Sequence, residues 1–373
     1  MSVTMLSPSL ADADPHALIG TGRVGLLTPS GSYDVERYPW AYEFWKRQQQ
    51  THWMGEEVPL GNDLKDWTSS RLSEPERALL TQIFRFFTQS DVEVGDNYLK
   101  RYIPLFQPLE IQMMMAAFSN METVHIDAYA LLLKTLGMPK AEFAAFRDYS
   151  EMRAKADYMH TFGVKTVGDV ARTLAMFGAF TEGMALFASF AMLLNFPRHN
   201  KMNGMGQIVT WSVRDESLHC EGIIKLYHEW NRETGAVTRA ARDDIVDVAR
   251  TMIGLEERFI DLAFALGAVE GMNAADIKAY VRFIADWRLA QLHLPGLYGY
   301  FESDENRRQI KPHPLPWIAE ILNGVEHANF FEQRATEYSK GATRGAWEGP
   351  NGVWVEFERQ RQRATSPVGF ASQ

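Results

Sequence analysis

Two short stretches carry the same pair of groups at the same interval: Glu122-x-x-His125 in NMETVHIDAYALLL and Glu216-x-x-His219 in VRDESLHCEG. On a helix, residues three apart project from one face, so each pair can aim a carboxylate and an imidazole at one point. Those groups together suit a first-row transition metal such as iron, manganese or zinc. A single Glu-x-x-His occurs in helices by chance. Here each copy follows another acid at a similar interval, Asp91 lying 31 residues before Glu122 and Glu182 lying 34 before Glu216.

The energetic argument is stronger than the spacing. Between Arg172 and Arg198 the only charged residue is Glu182, set in LAMFGAFTEGMALFASFAMLL. A carboxylate buried without partners costs several kcal/mol or takes up a proton. Asp91, Glu122 and Glu216 fall on the inward stripes of their own segments, and four carboxylates meeting in an apolar core repel unless a cation sits among them. Four carboxylates and two neutral imidazoles balance two divalent ions, or a diferric pair with one bridging oxide. Three protein ligands per ion leave positions open for water or oxygen. The set is that of dimetal-carboxylate bundles, an acid from each of two helices plus Glu-x-x-His from each of two others. Structural zinc sites favour thiolates, and the one cysteine is Cys220. Taken singly, Glu122, Glu182 and Glu216 also fit salt-bridged or surface acids, and His125 or His219 a hydrogen-bonded core residue. The doubled pattern around Glu182 favours the metal.

Helices must position these groups. Ser73-Glu74-Pro75-Glu76 is a capping box that opens a helix to about Tyr102, with the stripe Leu80, Phe84, Phe87, Asp91. A helix from about Pro108 to Leu136 stops at Gly137 with Pro139 beyond; its stripe reads Phe118, Glu122, His125, Tyr129, Leu132, Leu136. Further helices are expected over 38–50, 141–160, 167–194, 205–229, 239–267, 274–294 and 316–338. Residues 51–61 read as a loop holding Trp53, and Asn203-Gly204 and Asn351-Gly352 as loop signals; strand patterns are almost absent. The expected class is all-α, a ferritin-like helical bundle with the dimetal site in its core. Its expected organisation is a flexible arm over 1–34, the helical domain over 35–338 and a tail over 339–373.

With 373 residues, 46% of them hydrophobic, the chain can bury a sizeable core. A net charge of −9 argues against a nucleic-acid partner. One cysteine excludes an internal disulfide and fits a reducing cytoplasm, the expected location. The N-terminus shows no basic region followed by an apolar run, and the apolar stretch 173–197 reads as a buried core helix rather than a membrane segment, given Glu182 at its middle.

A dimetal bundle can be an oxygenase, a desaturase, an iron store or a radical generator. Tyr129 lies one turn after His125 on the same stripe, within reach of the metal's surroundings. Such a tyrosine is ordinarily core, but beside a metal that activates O₂ a phenol is the group most easily oxidised to a radical. The stretches WMGEEVPL, LTQIFRFFTQSDVEVGDNYL, FSNMETVHIDAY, FGAFTEGMALFASFA, GQIVTWSVRDESLHCEG, FIADWRLAQL and HPLPWIAEIL…NFFEQRATEY span about residues 37–340. In these stretches, and in their order, the chain resembles the small, radical-generating subunit of class I ribonucleotide reductase.

The resemblance implies the following. Asp91, Glu122 and His125 hold one iron, and Glu182, Glu216 and His219 the other, with Glu122 and an oxide bridging; manganese in one or both positions is an alternative. Tyr129 carries the stable radical. Trp53 supplies an electron during O₂ activation, and Asp215 links that tryptophan to the metal-bound histidine. Tyr338 relays the radical to a separate large subunit, which binds the ribonucleotide and removes its 2′-hydroxyl, and the small subunit acts as a homodimer. Two positions depart from the family pattern. Leu186, one turn after Glu182, stands where many members place phenylalanine near the oxygen pocket. Ser212, one turn before Glu216, stands where several carry an apolar residue. The tail is unusual too, with a basic stretch at Arg359–Arg363 where docking on the large subunit is expected. Against the radical reading stand an iron-storing ferritin-like protein and a stand-alone dimetal oxygenase.

Overall fold

The computed structural model describes residues 25–32, 37–302 and 308–322. Tyr338, most of the expected N-terminal arm and the whole expected tail lie outside the described residues. The helices in chain order are α1 (Pro39–Gln50), α2 (Gly61–Thr68), α3 (Glu74–Asn97), α4 (Leu109–Thr135), α5 (Ser150–Met159), α6 (Val167–Arg198), α7 (Asn203–Thr234), α8 (Arg239–Ala263) and α9 (Ala274–Gln291). Among the described residues the only β-type pairings are two isolated bridges, Val269 with Met272 and Phe301 with Gln309. The all-α expectation holds, and every described residue of the candidate site lies in the unit that ends at Ala319.

Local chemistry explains the main helices. Ser73 accepts a hydrogen bond from Glu76 N while the Glu76 carboxylate accepts one from Ser73 N, the expected capping box of α3. The stripe Leu80, Phe84, Phe87, Asp91 is buried along its whole length, as is the α4 stripe from Phe118 to Leu136. Thr166 and Asp169 form a second reciprocal cap at the start of α6. α6 is long and apolar enough to cross a membrane, yet its apolar window is wholly buried in the protein. It is the central core helix.

α6 is not a regular helix. Its first turns, Val167–Leu174, are α-helical, Ala175–Ala185 are π-helical, and Leu186–Arg198 return to α. The widened π turn carries Glu182. A shorter π segment, Tyr98–Tyr102, prolongs α3. Segments of this kind cost hydrogen-bond geometry and persist where a site requires them.

Three expectations need correction. Residues 62–72 carry no expected element, but α2 occupies most of them, because its two acids have a tertiary task. Asp63 accepts from Gly204 N and Met205 N, and Asp66 from Met202 N, satisfying the free N–H groups at the start of α7. Asn203-Gly204 is therefore the first turn of a helix, not a loop. The single helix expected over 141–160 breaks at Tyr149, between a 3₁₀ segment (Lys140–Asp148) and α5. Arg85 of α3 holds that break by binding both Glu142 and the Tyr149 hydroxyl.

Candidate metal centre

α3, α4, α6 and α7 bring the predicted acids and histidines to one place. Glu122, Glu182, Glu216 and His219 each offer a ligand atom within 4.8 Å of the others, all four buried. His125 joins through Nδ1, which lies 3.6 Å from Glu122 Oε2 and 3.2 Å from Glu216 Oε1. His219 Nδ1 lies 3.1 Å from Glu122 Oε1 and 3.4 Å from Glu216 Oε2. Asp91 is buried on α3 and feels the charges of Glu122, His125 and Glu216. Gly183 makes the approach of α6 to α7 possible: a Cβ there would stand 2.6 Å from Cys220 Sγ and 2.7 Å from Arg288 Nε.

The electrostatics fit a cation site. Burial, and then Glu122, push the Asp91 carboxyl well above its ordinary range; burial and Glu216 do the same to Glu182. Burial also opposes charge on Glu122, but the nearby His125 and His219 imidazoles outweigh it and hold this carboxyl low. Burial lowers His219, yet Glu122 and Glu216 outweigh it and raise the imidazole to about 10; His125 is raised too, most by Asp215. Asp91 Oδ2, both Glu122 oxygens, Glu216 Oε2 and His219 Nδ1 are buried without a hydrogen-bond partner. Other buried polar atoms in the protein are unpartnered too, but here five of them, on four of the predicted ligands, face one another in one cluster. Hard oxygen and imidazole donors without a thiolate fit iron or manganese.

An outer layer orients the ligands. His125 Nε2 faces Asp215 Oδ2 at 3.2 Å, and Trp53 Nε1 donates to the same oxygen at 2.7 Å. Gln48 Nε2 donates to Asp215 Oδ1 at 3.1 Å, while Gln48 Oε1 faces His219 Nε2 at 3.2 Å. Both imidazoles therefore turn Nδ1 to the cluster and Nε2 to a polar partner, the arrangement that fixes tautomer and ring plane in metal sites. Arg214 Nε also lies 3.6 Å from Asp215 Oδ1. Gly55 lets the Trp53 turn lie on α4, since a Cβ would meet Ala128 Cα at 2.9 Å.

Tyr129 is buried against Phe87, with ring centroids 4.9 Å apart, and its hydroxyl donates to Ser212 Oγ at 3.3 Å. Burial, then Asp91, push its phenol up, so it stays protonated. Leu186, one turn after Glu182, is buried, and so is Cys220. Two residues at the site escaped the sequence reading. Gln48 sits on α1 with no motif to mark it. Tyr98, in the π segment after α3, donates to Glu182 Oε1 at 2.8 Å; its position seven residues after Asp91, two helical turns on, is the signal that could have found it.

The sequence model of the family described as "Ribonucleotide reductase, small chain" matches residues 33–306. The chain belongs to this family. It is 39% identical over 360 residues to the "probable ribonucleoside-diphosphate reductase small subunit 376L" of Invertebrate iridescent virus 6, covering 87% of this chain and 98% of that one. To the ribonucleoside-diphosphate reductase subunit beta of Chlamydia pneumoniae it is 28% identical, over 81% of this chain and 88% of the relative. Among solved structures, the ribonucleotide reductase R2 subunit from Clostridium botulinum matches with a TM-score of 0.68 at 20% identity, covering 77% and 89% of the two chains. The dimanganese(II)-NrdF of Streptococcus sanguinis matches at 0.61 and 19% identity, over 77% and 98%. These structures share the fold of this small chain. In a chain of this family, the buried carboxylate and histidine cluster suggests a dimetal site.

Proposed function

We propose that this ribonucleotide reductase small chain generates a radical on Tyr129 and passes it to a separate large subunit that reduces ribonucleotides. The supporting observation is the placement of the Tyr129 phenol, buried and aromatic-walled, one turn from His125 and beside Asp91. Asp91, Glu122 and His125 would hold one metal ion; Glu182, Glu216 and His219 the other. When bound, a redox-active metal pair supplies the oxidising power by which reduction of O₂ removes an electron from a nearby phenol.

The chain's own residues do the rest. Phe87 and the surrounding apolar side chains keep water from Tyr129, which prolongs the life of a radical there. Asp215 gathers the donors of Trp53, Gln48 and His125, so an electron can enter through the indole while a proton stays shared along hydrogen bonds. Trp53 packs 5.9 Å from the His125 ring and 5.1 Å from Trp211, centroid to centroid, extending the aromatic contact from the histidine to a second indole. Tyr338 is the proposed last relay to the large subunit and the tail after it the proposed docking segment; the proposed arm is cut back to the residues before Gly25, because Leu26 and Leu27 are buried and Leu26 N donates to Glu233. A homodimer in the cytoplasm, with iron as the metal, completes the reading.

The deciding experiment adds Fe(II) and O₂ to the purified full chain and records its paramagnetic resonance spectrum. A tyrosyl signal lost in Tyr129→Phe is expected; a signal unchanged in that variant overturns the assignment. Metal analysis of protein from its own host, alongside that spectrum, decides between iron and manganese.

A further inference from the structure

The structure joins Ser212 to Tyr129. Both side chains are buried, Ser212 at 1% exposure and Tyr129 at 3%. The Tyr129 hydroxyl donates to Ser212 Oγ at 3.3 Å, its one hydrogen-bond partner among the described residues. Ser212 Oγ donates in turn to Ile208 O at 3.1 Å, one turn back on α7. That second bond is the usual resting place of a mid-helix serine hydroxyl.

A serine hydroxyl has one hydrogen and two lone pairs. With Tyr129 as a phenol the arrangement is consistent: the phenol gives its hydrogen to Ser212, and Ser212 gives its own to Ile208 O. Oxidation changes the count. One electron leaves Tyr129 for the O₂-oxidised metal pair and one proton leaves its oxygen for a base of the carboxylate cluster. The phenoxyl oxygen is then an acceptor only, and faces the lone pair of Ser212. Rotation about the serine Cβ–Oγ bond removes the clash by turning the Ser212 hydrogen onto the Tyr129 oxygen. Ile208 O loses little, because a helical carbonyl retains the backbone N–H four residues on, which is that of Ser212 itself. An apolar residue at this position offers neither role.

We propose that Ser212 is a positioning residue for the Tyr129 radical, a hydroxyl rotor that accepts from the phenol and donates to the phenoxyl. The proposal rests on the reading of Tyr129 as the radical site. Its consequence is a hydrogen-bonded radical, whose oxygen carries a donor supplied by the protein.

The test uses the full chain, loaded with Fe(II), exposed to O₂ and frozen, in H₂O and in D₂O. In the unaltered protein, high-field resonance is expected to show a lowered g1, and electron–nuclear double resonance an exchangeable deuteron coupled to the phenoxyl oxygen. S212A is expected to lose that coupling and raise g1, with the tyrosyl ring couplings unchanged; S212T, which keeps a hydroxyl, is expected to restore both. A coupling that survives in S212A overturns the proposal, as does its absence from the unaltered protein. A signal that survives Tyr129→Phe, or no radical at all, defeats the Tyr129 reading and the proposal with it. A Tyr129 radical whose g1 ignores S212A defeats the proposal alone.

Discussion

Trp53 Nε1 donates to Asp215 Oδ2 at 2.7 Å, and that one oxygen also lies 3.2 Å from His125 Nε2. The other Asp215 oxygen takes the Gln48 amide at 3.1 Å. The acid is wholly buried, and although burial works against its charge, the His125 hydrogen bond and its neighbours hold its carboxyl below the usual range. A single carboxylate therefore gathers donors from three elements.

Asp215→Asn tests that gathering. An amide has one accepting oxygen, so at least one of Trp53, Gln48 and His125 must face an N–H₂ group. Leaving a buried donor unpaired costs about 1–3 kcal/mol. Chemical denaturation is expected to show a loss of that size. Changes in the layer behind metal ligands commonly cost about 10–100-fold in function, and activity with the large subunit is expected to fall accordingly. A variant as stable and active as the parent would show that the network does not hold His125.

Glu182→Gln separates the two charge states of the centre. In the metal-free chain, Glu216 and burial both oppose a charged Glu182, so the neutral amide is expected to raise the melting temperature. In the presence of metal the order reverses, because a ligand is lost. Metal at about 100 times its Kd adds about 2.7 kcal/mol of stability to a protein that binds it, and the variant is expected to gain less than the parent. Scanning calorimetry with and without Fe(II) or Mn(II) reads both signs. An equal metal-induced gain in the two proteins would remove Glu182 from the ligand set.

Lys201 and Glu76 give a pH prediction away from the centre. Their atoms meet at 2.8 Å, and Lys201 also reaches Glu270, pinning the corner between α6 and α7. Burial pushes the Glu76 carboxyl up, but the Lys201 and Ser73 hydrogen bonds hold it below its ordinary 4.5. Burial lowers the Lys201 ammonium, but the Glu76 and Glu270 bonds hold it above its ordinary 10.5. The depressed acid contributes stability above about pH 4.5, lost as pH falls through its folded value. The raised base contributes below about pH 10.5, lost as pH rises through its folded value. Lys201→Met is expected to cost about 0.5–1 kcal/mol at pH 7 and much less at pH 3. Urea midpoints at the two pH values check it; a pH-independent loss would point to packing instead.

Gly183→Ala probes the closeness of α6 and α7. The added methyl would sit 2.6 Å from Cys220 Sγ, in a core with little room to give. Overpacking of this kind costs about 1–3 kcal/mol. The displaced α6 carries Glu182, so metal stoichiometry is expected to fall below two per chain along with the denaturation midpoint. Full stoichiometry in a destabilised variant would show that Glu182 follows α7 despite the insertion.

Much of the centre is local in origin and was legible from the chain. Glu122-x-x-His125 and Glu216-x-x-His219 share helix faces because three residues nearly complete a turn, whatever surrounds them. Glu182 declares itself because no other charge lies between Arg172 and Arg198, and the resemblance to the small-chain family supplied the role of Trp53 and its partner Asp215. The rest depends on which helices meet. Gln48 reaches Asp215 across 167 residues, Tyr98 reaches Glu182 across 84, and Tyr129 reaches Ser212 across 83. No local periodicity encodes such pairs, since each needs the distance and rotation of two packed helices. The same holds for α2, whose acids cap a helix about 140 residues away, and for the π turns of α6, which only the demands of the packed core make worthwhile. The sequence by itself determined which groups could bind metal and on which faces they stand. Tertiary packing decided which oxygen meets which nitrogen, and gave Tyr129 a serine for its partner.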